Sequence, residues 1–306
     1  MNWFWFALIA LICWSGSDLF SKIGCCGEKD KTAHLKMVVA VGLVMGLHAA
    51  YMIVFHHVSV TWDVVWTYLP VSLLYILSMT LGYVGLRYIE LSISSPICNS
   101  SGALVAVLCL RTGALSDYNG PQKAVILCAV GLGCRGGVGL GGVEAREDDD
   151  LRRRRQEHAN RKYAKSWLAI CLPVAYCLLD AAGTFADSLV LERLNEDSAN
   201  VAYELTFLAA GIGCLVYLLV RREKFTFKAE LPKYVGAACE TVGQLFYIYA
   251  LADEEHVMMS APIISAYCVA SVLWSRLFLK EKLSWKHYLM IGFVVAGIVI
   301  LGICDS

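Results

Sequence analysis

Carboxylates set in the middle of apolar stretches are the residues of this sequence best placed to do chemistry. Asp180 and Glu240 each lie near the centre of a long apolar run. An acid at that depth costs about 2.5 kcal/mol or more on insertion scales, so it normally faces a partner or a wet cavity on an ion or substrate path. Helical spacing supports Glu240: Gln244 is four residues on and shares its face, and Thr241 is adjacent. Tyr247 and Tyr249 continue the polar-aromatic character of the segment. Asp18, Asp187 and Glu204 lie nearer the ends of their runs. Headgroup depth is an adequate account of Asp18 and Glu204, while for His48 the structural and functional readings stay open. Two further stretches carry polar groups just after a proline: Asn99, Ser100 and Ser101 after Pro96, and Ser265 and Tyr267 after Pro262. A proline early in a membrane helix frees backbone carbonyls and suits a cavity wall, although small residues also serve helix packing.

Other motifs carry less. Gly131, Gly133 and Gly136 satisfy G-x-G-x-x-G, but inside an apolar stretch rather than between a strand and a helix, so no dinucleotide cofactor is expected. Asp253-Glu254-Glu255-His256 reads as a polar turn rather than a metal site. With no G-x-S-x-G, H-E-x-x-H or paired His/Asp set, an enzyme is not expected, nor is any cofactor or metal.

The elements that must position these residues follow from composition. Of 306 residues 58% are hydrophobic and only 17% charged, with a mean hydropathy of +0.59. A soluble domain has about 25% charged residues, so the expectation is an all-α, polytopic membrane protein. Lys+Arg 26 balances Asp+Glu 26, which removes the basic bias of a nucleic-acid binder. Ten spans are predicted, at 3–23, 35–56, 67–89, 92–111, 121–143, 167–190, 199–220, 231–251, 255–279 and 285–304. The first is read as a retained helix, not a cleaved signal peptide. Most of the thirteen cysteines fall inside apolar runs, where a thiol acts as a small apolar side chain; Cys25 and Cys26 fall in a polar loop.

The strongly polar segment 144–165, with Asp148–Asp150 followed by Arg152–Arg155, divides the ten spans five and five. Residues 166 apart then match: Tyr83 with Tyr249, Ser94 with Ser260, Pro96 with Pro262, Ile97 with Ile263, Gly131 with Gly297 and Gly136 with Gly302. Two repeats of five helices in one chain must be inverted, an arrangement that puts a substrate site at the midplane between them. The expected organisation is therefore a first repeat over 1–143, a cytoplasmic linker over 144–165 and a second repeat over 166–306. Lys and Arg gather in the loops after spans one, three, five, seven and nine, which places both termini outside the cytoplasm. Span five is the irregular one. Its glycines make a poor helix, each interior Gly costing up to about 1 kcal/mol, and Arg135 falls where the repeat partner has Leu301. Either the helix is broken for function or the stretch has degenerated, and degeneration is slightly favoured.

These residues resemble a family. The stretch Ala261-Pro262-Ile263-Ile264 through Leu279-Lys280-Glu281-Lys282-Leu283-Ser284, followed by a Gly-rich helix, is similar to helices nine and ten of EamA-type members of the drug/metabolite transporter superfamily. Cys13-Trp14-Ser15-Gly16-Ser17 with Lys22 looks like the helix-one motif. The resemblance implies a secondary transporter of small organic metabolites or drugs, an exporter working by alternating access, as a monomer or homodimer; the short loops and minimal tails point to a bacterial inner membrane. The proton-binding Glu of the small multidrug members falls eight residues before the helix-one Lys; here that position is Trp14, so the role does not carry over. Many members have cytoplasmic termini, against the charge pattern here. Asp180, Glu240 and Gln244 are expected to bind substrate or proton, with Asn99, Tyr83, Tyr249, Tyr267 and Trp14 lining the cavity. The excess of acids suggests a cationic substrate or proton coupling. A nucleotide-sugar-type antiporter and a degenerate, non-transporting membrane protein stay open as alternatives.

Overall fold

The structure, a computed structural model, describes residues 2–25, 30–86, 91–112, 119–145, 167–279 and 284–304. The linker beyond Ala145, with its arginine run, lies outside the described residues, as do Cys26, Lys280, Glu281 and Lys282. Among the described residues the chain is all helical: α1 (Trp3–Cys25), α2 (Ala33–Phe55), α3 (Trp62–Leu86), α4 (Leu91–Cys98), α5 (Ser101–Thr112), α6 (Gly120–Ala145), α7 (Trp167–Leu191), α8 (Glu196–Val220), α9 (Phe227–Leu251), a 3-10 turn (Glu254–His256), α10 (Val257–Ser265), α11 (Tyr267–Phe278) and α12 (Trp285–Cys304). Six stretches among them are long and apolar enough to cross a bilayer. A helix of 23 residues spans about 35 Å, somewhat more than the hydrocarbon core.

The packing is that of a protein with an apolar exterior. Ser15, Ser17, Ser72, Ser78 and Ser271 are buried, while Leu47, Phe55, Val220 and Leu277 face outward. Small residues inside let helices approach where lipid supplies no hydrophobic drive. Trp62 and Trp66 at the start of α3, and Trp285 at the start of α12, are exposed at helix ends, as in an interfacial aromatic belt. Cys25 ends α1 and is buried rather than lying in a loop.

The helices pair across the chain: α1 lies along α9, α2 along α8, α3 along α7 and α6 along α12, while the α4–α5 segment packs on α10–α11. Glycines set the closest approaches. A Cβ on Gly42 would lie 2.7 Å from the Phe207 carbonyl, and one on Gly211 3.1 Å from the Gly42 Cα. The ends differ in charge. Lys31, Lys36, Arg221, Arg222, Lys224, Lys228 and Lys233 gather at the end where α1 finishes and α9 begins, called the basic end below. There Lys36 meets Asp30 at 2.8 Å and Glu230 at 3.6 Å, and Lys233 meets Glu230 at 2.9 Å. Burial pushes the Asp30 carboxyl up, but hydrogen bonds from Lys36 and Thr32 outweigh it and hold the group below its ordinary range.

Three segments depart from the sequence expectation. Span four is not one helix: α4 ends at Cys98 and α5 starts at Ser101. The Asn99 amide donates to the Ser95 carbonyl at 2.8 Å, competing with its own backbone N–H at 2.9 Å, the local rivalry by which such side chains interrupt helices. Span nine is likewise divided at Ala266, whose N–H reaches back to both Pro262 and Ile263 carbonyls at 3.1 Å. Span five, expected to be poor or broken, runs unbroken through its glycines as α6. The cost of those glycines is offset by contact with α12: a Cβ on Gly136 would lie 2.7 Å from the Met290 carbonyl, and one on Gly297 3.0 Å from the Gly133 nitrogen. Arg135 points outward, its guanidinium 6.0 Å from the centre of the Phe293 ring.

Candidate functional site

The two interrupted segments meet. A Cβ on Gly102, in the first turn of α5, would press on the Ser265 side chain at the end of α10 and sit 3.0 Å from the Ala261 carbonyl. Beside this junction lies a cavity with about 910 Å³ of space between its lining side chains, part of it continuous with the exterior. Its walls come from α1, α3, α4, α5, α7, α8, α9, α10 and α11.

Seven of the eight residues picked from the sequence line it together: Trp14, Tyr83, Asn99, Asp180, Glu240, Gln244 and Tyr267. Each element presents them for a local reason. On α9, Glu240 and Gln244 stand one turn apart on the buried face. Gly243 beside them has no side chain because the Trp14 ring occupies that place. Trp14 is tilted against Tyr247, ring centres 4.8 Å apart, and edge-on to Tyr267 at 5.8 Å. On α7, Asp180 accepts from Ser101 at 2.7 Å, at the N-terminus of α5, where the helix dipole favours a carboxylate. Tyr83 is 6% exposed and Gln244 2% exposed; the Tyr83 hydroxyl and the Gln244 Nε2 have no hydrogen-bond partner among the described residues.

Tyr249 does not join them. It sits in the last turn of α9, where its hydroxyl donates to Asp197 and its ring packs 5.5 Å from Phe6, ring centre to ring centre. Its sequence counterpart Tyr83 lies near the other end of the molecule, so likeness in sequence does not put both on one cavity.

Asp18 does join them, although depth alone had assigned it to the headgroups. Its carboxylate lines the cavity and accepts from Ser95 at 2.7 Å and Ser271 at 2.8 Å. A signal was present: Trp14, Ser17, Asp18 and Ser21 fall at helical spacing, and all four line the cavity. Asp187 is fully buried just beyond the wall, accepting from Tyr68 at 2.7 Å and Tyr75 at 3.2 Å. Tyr75 is bonded to Tyr247, and Tyr247 donates to Thr184 at 2.9 Å. Glu204 is also fully buried rather than at headgroup depth, but away from the cavity, where His48 at 2.7 Å and Asn200 at 3.1 Å hold it. His256 closes its turn on Asp253 at 2.6 Å, and among the described residues no group of His, Cys, Asp and Glu is arranged to hold a metal ion.

Residues 167–303 match the EamA-like transporter family. Over these residues the chain is similar to that family, one of the drug/metabolite transporter superfamily. The EamA-like half supplies Asp180, Glu240, Gln244 and Tyr267 to the cavity; Trp14, Asp18, Tyr83 and Asn99 come from the residues before it. A solved crystal structure resembles the chain over 96% of its length and 94% of the other's, with a TM-score of 0.64 at 14% identity, a likeness of fold alone. Among curated proteins none matches.

Proposed function

We propose that this chain is a secondary active transporter that moves small organic molecules across its membrane by alternating access, as an exporter, through the cavity between two inverted five-helix repeats. The observation that carries the reading is the one-sidedness of the cavity. Toward the basic end it reaches Gly82, Tyr83, Leu86, Leu91, Ser94 and Ser95, up to the ends of α3 and α4. The residues 166 further on are Ile248, Tyr249, Ala252, Val257, Ser260 and Ala261, and of these Ala261 alone lines it. Equivalent positions are thus open in one half and packed in the other, as expected of one of the two states that inverted repeats exchange.

Further support comes from the pairing of helices. Contacts of α1 with α9 and of α3 with α7 are reciprocal under exchange of the halves, while α2 with α8, α6 with α12 and the two interrupted segments are self-reciprocal. Interruptions at corresponding positions of two halves are also where such carriers place their sites. With the Lys- and Arg-rich end in the cytoplasm, the cavity reaches inward and both termini lie outside. Asp18, Asp180 and Glu240 give three places where a coupling proton would bind. The test is counterflow in proteoliposomes with a panel of labelled amines, amino acids and nucleosides. Saturable exchange of one class, lost in Glu240→Gln, supports the reading; a folded protein that exchanges none of them removes it.

A further inference from the structure

We propose that the cavity binds a small organic cation: an ammonium group facing the carboxylates, a neutral hydrogen-bond acceptor facing Tyr83 or Gln244, and an apolar or aromatic body between them. This rests on the transporter reading for its physiological meaning, but the binding argument stands on the cavity itself.

Charge comes first. Asp18, Asp180 and Glu240 line the cavity, and among the described lining residues there is no Lys, Arg or His. Lys22, one turn beyond Asp18, gives its ammonium to the Leu86 carbonyl at 2.9 Å and is not among those lining residues. Among the described residues the hydrogen bonds to Asp18 and Asp180 come from serine hydroxyls, which orient a carboxylate without neutralising it. A buried carboxylate is stabilised by a cation brought against it, and an added anion there would be repelled in a medium of low dielectric.

The second observation is independent of charge. The Tyr83 hydroxyl and the Gln244 Nε2 are buried on the same cavity with no partner among the described residues. A buried donor without an acceptor is destabilising, and a ligand carbonyl or hydroxyl removes that cost. Both groups are neutral, so neither offsets the charge of a ligand carboxylate. The walls supply the rest. Trp14, Tyr247 and Tyr267 present ring faces and edges that hold a flat apolar body and attract a cation.

A zwitterionic amino acid therefore fits worse than its own amide. The experiment is calorimetric titration of the purified protein with three molecules on one body: phenylalaninamide, phenylalanine and N-acetylphenylalanine. The expected order is phenylalaninamide first, phenylalanine at least about tenfold weaker and N-acetylphenylalanine without measurable binding. Equal or tighter binding of phenylalanine or of N-acetylphenylalanine overturns the proposal, as does failure of all three to bind a protein that melts cooperatively. Counterflow with the same three keeps the two readings apart. Binding in the expected order without exchange removes the transporter and leaves the ligand class; exchange that prefers phenylalanine removes the ligand class and leaves the transporter.

Discussion

Glu240 and Asp180 face the same space from α9 and α7, and neither meets a basic side chain across it among the described lining residues. Their neutral isosteres keep the shape and remove the charge. Glu240→Gln and Asp180→Asn are therefore expected to retain a cooperative melt while each lowers flux by about tenfold or more; wild-type exchange rates in both would sink their assignment to substrate or proton. Gly243 offers a steric counterpart. Its substitution by Ala drives a methyl into the Trp14 ring, an overpacking that costs about 1–3 kcal/mol. Trp14 must swing toward the cavity, so Gly243→Ala should weaken ligand binding more than it lowers the melting temperature; unchanged binding would show that the ring yields elsewhere. Asp30 serves stability rather than transport. Its folded carboxyl titrates below the ordinary value, so the stabilisation is fully present above that value and is lost as pH falls through the folded one. Asp30→Asn should thus lower the melting temperature at neutral pH, with the gap from wild type closing below about pH 4.

Among the elements, α2 and α8 approach closely through glycine. A side chain on Gly42 meets the Phe207 backbone carbonyl at 2.7 Å, and backbone cannot rotate aside. Gly42→Val is expected to destabilise by about 1–3 kcal/mol or more, seen as a lower melting temperature; a neutral effect would mean that the pair slides freely. The same α2–α8 pair buries Glu204 against His48 and Asn200, a structural use of a membrane acid that depth in the sequence had put at the surface. α6 teaches the reverse. Its glycines and Arg135 read as a poor helix in the sequence, yet α6 runs unbroken, Gly136 and Gly297 let α6 and α12 approach, and Arg135 lies outside against Phe293.

For the whole molecule, the end opposite the basic one carries aromatic contact of α1 with the last turns of α9 and with the 3-10 turn after it. Phe6 packs on Phe246 at 5.9 Å and Trp3 stacks on His256 at 5.0 Å, ring centre to ring centre. If alternating access requires these helices to part, bridging cysteines placed at Phe6 and Phe246, in a background with the native cysteines replaced, should stop exchange and leave ligand binding intact. Release of the bridge should restore exchange. Flux through the bridged protein would show that this end does not gate.

The sequence by itself determined that the chain is helical and membrane-bound, because hydropathy and charge act on whole segments and need no knowledge of neighbours. It also pointed to Asp180, Glu240, Gln244, Trp14, Tyr83, Asn99 and Tyr267, since polar groups at helical spacing in apolar runs have few places to go, and the structure puts all seven on one cavity. Three things were decided only in the tertiary structure. Whether an acid meets a cavity, a histidine or a pair of tyrosines depends on the helix opposite, which separates Asp18, Glu204 and Asp187 although all three lie toward the ends of their spans. Where the interrupted helices meet depends on packing between distant segments: Gly102 at the start of α5 lies against Ser265 at the end of α10. Which of two residues 166 apart lines the site is decided by packing: Tyr83 faces the cavity, whereas Tyr249 packs on Phe6 and bonds to Asp197, contacts between segments distant in sequence.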